Sequence, residues 1–216
     1  MGRLTRLLLV ATRNAHKLEE IRAVLSPAPV RLVGPEDLRL PELEEEDGLE
    51  PFDTFEANAR SKASYFHRRS GVLTLADDSG LCVEALGGGP GVRTKRFAPD
   101  DWADAWGRHE ANNRWLLERL SGLPPEERGA SYRCTIALSG EGGQVSFEGR
   151  VDGSIACEPR GSGGFGYDPL FILDGSQQTY AELPAEVKNR TSHRGRALRK
   201  ALSWLCDAAV DEAPSA

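Results

Sequence analysis

No stretch of this chain is apolar for long enough to cross a membrane. The opening hydrophobic run is only Leu7-Leu8-Leu9-Val10-Ala11, whereas a spanning helix needs about 20 residues. The run is also shorter than the apolar core of a secretory leader. Cysteine is sparse: Cys82, Cys134, Cys157 and Cys206 lie scattered without a paired spacing. That speaks against a disulfide framework or a zinc site and suits reduced thiols in the cytoplasm, with Cys82, Cys134 and Cys206 in apolar surroundings. Positive charge is in deficit, 27 Lys and Arg against 33 Asp and Glu, for a formal net charge of −6. A sequence-independent grip on a nucleic-acid polymer needs a basic surface, so that class of partner is excluded. The G-x-x-x-x-G-K phosphate loop, internal repeats and a long flexible linker are missing too. What remains is ordinary for a folded protein: 216 residues, 39% apolar and 28% charged. That is material for a single domain over residues 1–216, built as two intimately packed lobes.

The run at 7–11 reads as a strand covered on both faces. After a polar loop, Leu18, Ile21 and Leu25 recur at helical spacing until Pro27 and Pro29 stop the helix. Residues 34–53 are acidic and punctuated by proline. A second helix is predicted near Thr54, with Asp53 as its cap and Glu56 three residues on, and with Phe55, Ala59 and Phe66 as its apolar stripe. Residues 72–76 predict a buried strand running into Asp77-Asp78, residues 87–91 a loop, and the segment after Asp101 a helix carrying Trp102, Trp106, Leu117 and Leu120. Tyr132, Cys134, Ile136 and Leu138 then alternate with polar neighbours, as do Val145, Phe147 and Val151 beyond a glycine-rich turn, which predicts a hairpin. A short strand follows around 170–173. The last helix opens near Ser192 and buries Leu198, Ala201, Leu202 and Leu205, and residues 211–216 are expected to fray. The expected fold is α/β, a two-lobed mixed sheet flanked by helices, with the active-site cleft between the lobes.

Four clusters carry chemistry. In Thr12-Arg13-Asn14-Ala15-His16-Lys17 a strand ends in a loop that opens a helix, where unpaired amides and the helix dipole favour phosphate. Thr12 and Asn14 are equally good helix caps. On the second helix Asn58 and Lys62 share a face, and Lys62 is either a second phosphate cation or an exposed lysine. Asp77-Asp78-Ser79-Gly80 follows a buried strand, where ligands meet α/β sheets. Consecutive strand side chains point to opposite faces, so one aspartate serves the site and the other orders its surroundings; Asp78, nearer the turn, is taken as the functional one. Asp-Ser-Gly is also turn chemistry. Magnesium uses one or two carboxylates with phosphates and water, and the acidic stretch offers Glu45 or Glu46 ahead of Glu50. At the third cluster, His193 and Arg194 present donors that match the 6-oxo group of a purine and leave adenine's amino group without an acceptor. Lys188 is in reach of the base or sugar–phosphate. In the fourth, Gly163-Gly164-Phe165-Gly166-Tyr167-Asp168-Pro169, Phe165 offers a ring to stack and Asp168 an acceptor for a ring N–H.

These blocks, A-T-R-N-A-H-K at 11–17, T-F-E-A-N-A-R-S-K-A at 54–63, L-A-D-D-S-G-L at 75–81, G-G-G-P-G-V at 87–92, G-G-F-G-Y-D-P at 163–169, A-E-L at 181–183 and S-H-R-G at 192–195, resemble the inosine triphosphatase-like family of non-standard purine nucleoside triphosphate pyrophosphatases. The resemblance spans almost the whole chain. It implies hydrolysis of XTP, ITP and dITP to monophosphate and pyrophosphate with Mg2+, in a cytoplasmic homodimer. It places the triphosphate on residues 12–17 with Lys62 assisting, and the metal on Asp78 with Glu45 or Glu46. Substrate contact falls to Ser79, and the nucleoside to Phe165, Gly166, Tyr167, Asp168, Lys188, His193 and Arg194. Two departures stand out: Ala57 takes the place of a glutamate frequent in the family, and the stretch 48–55 is longer than in many relatives. A pyrophosphatase of modified pyrimidine nucleotides and a nucleotide-binding regulator without turnover are the rival readings.

Overall fold

The computed structural model describes residues 6–211. Residues 212–216, expected to fray, lie outside that range. One six-stranded mixed sheet runs through the chain in the order β2-β1-β3-β4-β5-β6. β1 (Arg6–Val10) lies between β2 (Val30–Val33) and β3 (Leu73–Val83), parallel to both. β4 (Gly129–Gly140) and β5 (Gly143–Ile155) fill the predicted hairpin positions, and β6 (Phe171–Leu173) is antiparallel to β5. The contacts divide the chain into two units, residues 1–78, 134–149 and 194–216 in one, 79–133 and 150–193 in the other.

In the first unit, β1 is buried at Leu8, Leu9 and Val10, as its unbroken apolar run requires. It feeds α1 (Ala15–Leu25), which starts where the Asn14 side chain accepts the Lys17 N–H. α1 and α6 (His193–Asp211) bury Ile21, Leu25, Leu198 and Leu205 against Leu8, Val10, Leu75 and Ile136. α2 (Phe55–Ser70) packs Ala59, Ala63 and Phe66 with Leu9, Ala76 and Ala137. Its cap is Thr54, whose hydroxyl accepts the Ala57 N–H, and not Asp53. α2 ends at Gly71 with a φ of 67°, a left-handed turn that glycine adopts without a Cβ clash. β3 contributes Leu73 and Leu75 to the first of these clusters and Ala76 to the other, so its alternate residues meet helices on opposite faces.

In the second unit, Leu81, Leu116, Leu120, Tyr132, Phe171 and Tyr180 anchor the core. The helix expected after Asp101 is two helices, α3 (Asp100–Trp106) and α4 (Arg108–Arg119). The break is Gly107, at a φ of 77° that no helix contains. Trp106 is consequently 52% exposed and stacks against the Arg114 guanidinium at 3.9 Å. A short α5 (Ala185–Thr191) precedes α6, with Ser192 between them. All four cysteines are free; Cys134 is buried, Cys82 and Cys206 half-buried, and Cys157 exposed. Among the described residues no helix is long and apolar enough to cross a membrane.

Candidate active site

The Asp-Asp-Ser-Gly block is not a turn. β3 continues straight through it to Val83, although Asp, Ser and Gly are poor strand formers. Burial of two adjacent acids is tolerated because each finds partners on its own face. Val10 pairs with Leu75, so Asp77 and Asp78 lie just beyond the carboxyl end of β1, where α1 begins. Asp77 follows Leu75 toward α1 and α6. Its Oδ2 takes Lys17 Nζ at 3.1 Å and Arg194 Nε at 3.1 Å. Asp78 follows Ala76 toward α2, where its Oδ2 accepts from Asn58 Nδ2 at 3.0 Å.

The charges sort these two carboxyls apart. Burial works to raise Asp77, but Lys17, Arg194 and Lys62 overcome it and hold the group well below the usual carboxylate range. Burial and the charge of Glu50 push Asp78 up to about 6, against Lys62, Lys17 and the Asn58 amide. Lys62 meets that same Glu50 in a direct ion pair. Burial depresses Lys62, yet Glu50 and Asp77 outweigh it and keep the ammonium charged. Glu50 stays ionised because Lys62 and Lys17 outweigh its own desolvation.

Glu45 and Glu46, expected beside Asp78, are engaged elsewhere. Residues 44–48 form a short 3₁₀ turn. From it Glu46 accepts from Arg13 at 2.8 and 2.9 Å and from Arg69 at 2.8 Å, while Glu45 accepts from the Tyr65 hydroxyl at 2.7 Å. The acid of this stretch whose charge reaches Asp78 is Glu50, the less favoured of the three from sequence. Arg13, expected in the phosphate loop, is paired with Glu46 by these contacts. Thr12 and Asn14 act as local braces: the Thr12 hydroxyl accepts the Asn14 N–H at 3.2 Å, and Asn14 caps α1. Ala15 and His16 are exposed in the first turn of that helix, and Lys17 is half-buried. Arg194 was expected among the base donors, but it is 3% exposed and directs N–H groups at Asp77 and at Glu20.

In the second unit the glycine-rich segment is shaped around one carboxylate. Asp168 Oδ2 accepts the Phe165 N–H at 2.7 Å and Lys188 Nζ at 2.7 Å. Lys188 Nζ also sits 4.7 Å from the centre of the half-buried Phe165 ring. A Cβ on Gly164 would fall 2.0 Å from Asp168 Oδ2, so only glycine lets the backbone approach this closely. Asn113 Nδ2 donates to the Gly166 carbonyl at 3.0 Å, and the Tyr167 hydroxyl donates to the Thr94 carbonyl at 2.9 Å. His193 stacks face to face on Tyr132, centroids 4.5 Å apart and planes 5° from parallel. Ser79 is half-buried in β3.

Asp77, expected to order its surroundings, takes Lys17 and Arg194; Glu20, Asn113 and Tyr132 are not singled out for the site by the sequence. Only buried polar residues on otherwise apolar faces, such as Asn113 on α4, could have signalled them. Among the described residues no three His, Cys, Asp or Glu side chains gather as a complete metal cage. The first unit instead offers two carboxylates, Glu50 and Asp78, repelling each other, beside an Asp77 Oδ1 that is buried without a hydrogen bond. That set fits a hard cation which takes its other ligands from phosphate and water.

The Ham1 family profile matches residues 8–204. A dITP/XTP pyrophosphatase of Geobacter sulfurreducens is 51% identical over 193 residues, covering 88% of this chain and 92% of that protein. One from Porphyromonas gingivalis is 43% identical, covering 92% and 96%. Among solved structures, a HAM1 protein from Coxiella burnetii superposes with a TM-score of 0.80 at 35% identity, covering 94% of this chain and all of that one. A nucleoside-triphosphatase, dITP/XTP pyrophosphatase, from Mycobacterium abscessus gives 0.69 at 44% identity, covering 90% and 98%. With the buried acid pair of β3 and the mixed sheet that carries it matched along nearly its full length, this chain belongs to the Ham1 family.

Proposed function

We propose that the chain hydrolyses XTP, ITP and dITP to the nucleoside monophosphate and pyrophosphate, clearing non-standard purines from the nucleotide pool. The observation that carries this reading is the cluster around Asp77 and Asp78. It sets four carboxylates, Glu20, Glu50, Asp77 and Asp78, against three cations, Lys17, Lys62 and Arg194. A cluster with one more acid than base does not attract a triphosphate by itself; it calls for a divalent cation to arrive with the substrate. Mg2+, held by Asp78 and Glu50, would offset charge on the phosphate oxygens. Asp78 orients the attacking water and receives its proton, a task suited to a carboxyl raised toward neutral pH. Lys17 and Lys62 offset charge on the departing pyrophosphate. Asp77 keeps Lys17 and Arg194 in place.

Phe165, Asp168, Lys188 and His193 hold the nucleoside. The ring stacks on the base, Asp168 accepts a ring N–H, and the cationic and imidazole N–H groups suit a 6-oxo purine. The description of similar proteins from Geobacter sulfurreducens and Porphyromonas gingivalis as dITP/XTP pyrophosphatases supports the same substrates. The working form is a homodimer in the cytoplasm. The test is a product assay on dITP, XTP, dGTP and dATP with Mg2+. The expected outcome is pyrophosphate from dITP and XTP, with dATP slower by at least about 10²-fold because its amino group leaves buried donors unpaired. Inorganic phosphate as the product, or equal rates on dATP, contradicts the reading.

A further inference from the structure

We propose that Asn58 is a positioning residue that sets the spacing between Glu50 and Asp78, the two carboxylates assigned to the cation. The inference rests on that assignment. Asn58 lies on α2 and is 1% exposed. Its carboxamide has one acceptor oxygen and two N–H donors to offer, and three bonds engage it. Phe52 N–H donates to Oδ1 at 2.8 Å, and Nδ2 donates to the Phe52 carbonyl at 3.0 Å and to Asp78 Oδ2 at 3.0 Å. Because a backbone N–H occupies the oxygen, the nitrogen has to face Asp78, which fixes the orientation of the amide.

One rigid, planar group therefore ties a loop to a strand. Phe52 follows Glu50 by two residues with Pro51 between them, whose ring fixes its own φ. Clamping both backbone groups of Phe52 thus limits where the Glu50 carboxylate can sit. The Phe52 ring is 47% exposed, so its own packing does little to hold the loop there. On the other side the same nitrogen holds Asp78 Oδ2 in one orientation. Asparagine is a weak helix former, and the neighbouring inward positions Ala59 and Ala63 are apolar. Packing alone would have favoured a hydrocarbon at 58. An amide with both faces engaged is what a fixed spacing of two ligands requires.

The test measures Mn2+ binding to the full-length protein without nucleotide, from the loss of the free-ion paramagnetic resonance signal. Wild type is compared with Asn58→Leu, Phe52→Pro and Asp78→Asn. Removing a hydrogen-bonding partner of a metal ligand typically weakens affinity about 10–100-fold, and Asn58→Leu is expected to fall in that range. Phe52→Pro, which deletes one donor on an exposed loop and leaves Asn58 in place, is expected to lose less. In dITP assays the Mn2+ concentration for half-activation should rise by the same factor, with activity returning as Mn2+ is raised. A residue that only packs α2 against β3 would lower the melting temperature and leave the Mn2+ affinity and activation curve unchanged. That result in Asn58→Leu overturns the proposal, as it does in Phe52→Pro if Asn58→Leu does not fold. A wild type that takes up no Mn2+ overturns the cation assignment itself, and the role of Asn58 with it.

Discussion

Asp78→Asn is expected to slow dITP hydrolysis by about 10²–10⁴-fold, the usual contribution of a positioned proton acceptor, while making the metal-free protein more stable. The two effects have one cause. Burial and Glu50 raise the Asp78 carboxyl from 3.8 to about 6. A group ionised at pH 7 in both folded and unfolded chains but raised to that degree in the fold costs on the order of 3 kcal/mol. Asparagine removes the charge and keeps an oxygen for the Asn58 donor. The sign follows from the direction of the shift: the folded pKa is raised, so the cost is full above about 6 and fades as the pH falls toward the unfolded value of 3.8. The stability advantage of the variant should therefore be largest at neutral pH and vanish near pH 4. Thermal melts of the chelator-treated proteins between pH 4 and 8, beside turnover rates, check both halves. Undiminished turnover, or an advantage that grows on acidification, contradicts the assignment.

Its neighbour behaves in the opposite way. Asp77→Asn is expected to destabilise the fold by about 3–5 kcal/mol, the cost of leaving buried charges without their partner. Asp77 meets Lys17 and Arg194 through Oδ2, and Lys62 also stabilises its charge. Neutralising it takes a buried negative charge away from Lys17 and Arg194, while the Arg194–Glu20 and Lys62–Glu50 pairs stay in place. For a chain of this length each kcal/mol moves the melting temperature by about 2–4 °C, so a fall of roughly 6–20 °C follows. Thermal melts at pH 7 measure the fall, and urea unfolding the free energy. A variant within 1 °C of wild type would show that the Lys17–Asp77–Arg194 arrangement carries no stabilising charge. Adjacent aspartates of one strand thus predict opposite stability changes, because strand geometry sends one to cations and the other to an acid.

That alternation was legible in the sequence, as was much of the frame. β1 and α1 could be read because an unbroken apolar run and a 3.6-residue period are local signals. The hairpin strands showed the period of two. What escaped reading depended on partners distant in sequence. Asp, Ser and Gly favour turns locally, yet β3 passes through 77–80 because Lys17 and Arg194, 60 positions before and 117 after Asp77, meet its charge. Five clustered acids look alike in sequence. Only the 3₁₀ turn at 44–48, which delivers Glu46 to Arg13 and Arg69 and Glu45 to Tyr65, shows why it is the charge of Glu50 that reaches Asp78. Arg194 was read as a free fork of donors, since no local pattern reveals that Asp77 and Glu20 already hold it. Gly107 was a visible break that the spacing of tryptophans and leucines on either side concealed.

Pyrophosphate release from dITP by Glu50→Gln and Glu46→Gln, measured side by side with wild type at a single Mg2+ concentration, tests the reacting end most directly. Glu50→Gln is expected to lose about 10²–10³-fold, the size seen when one preorganised electrostatic group is removed, and Glu46→Gln to stay within a few-fold of wild type. A Glu50→Gln enzyme that keeps its rate while Glu46→Gln loses it would contradict the placement of the chemistry around Glu50 and Asp78.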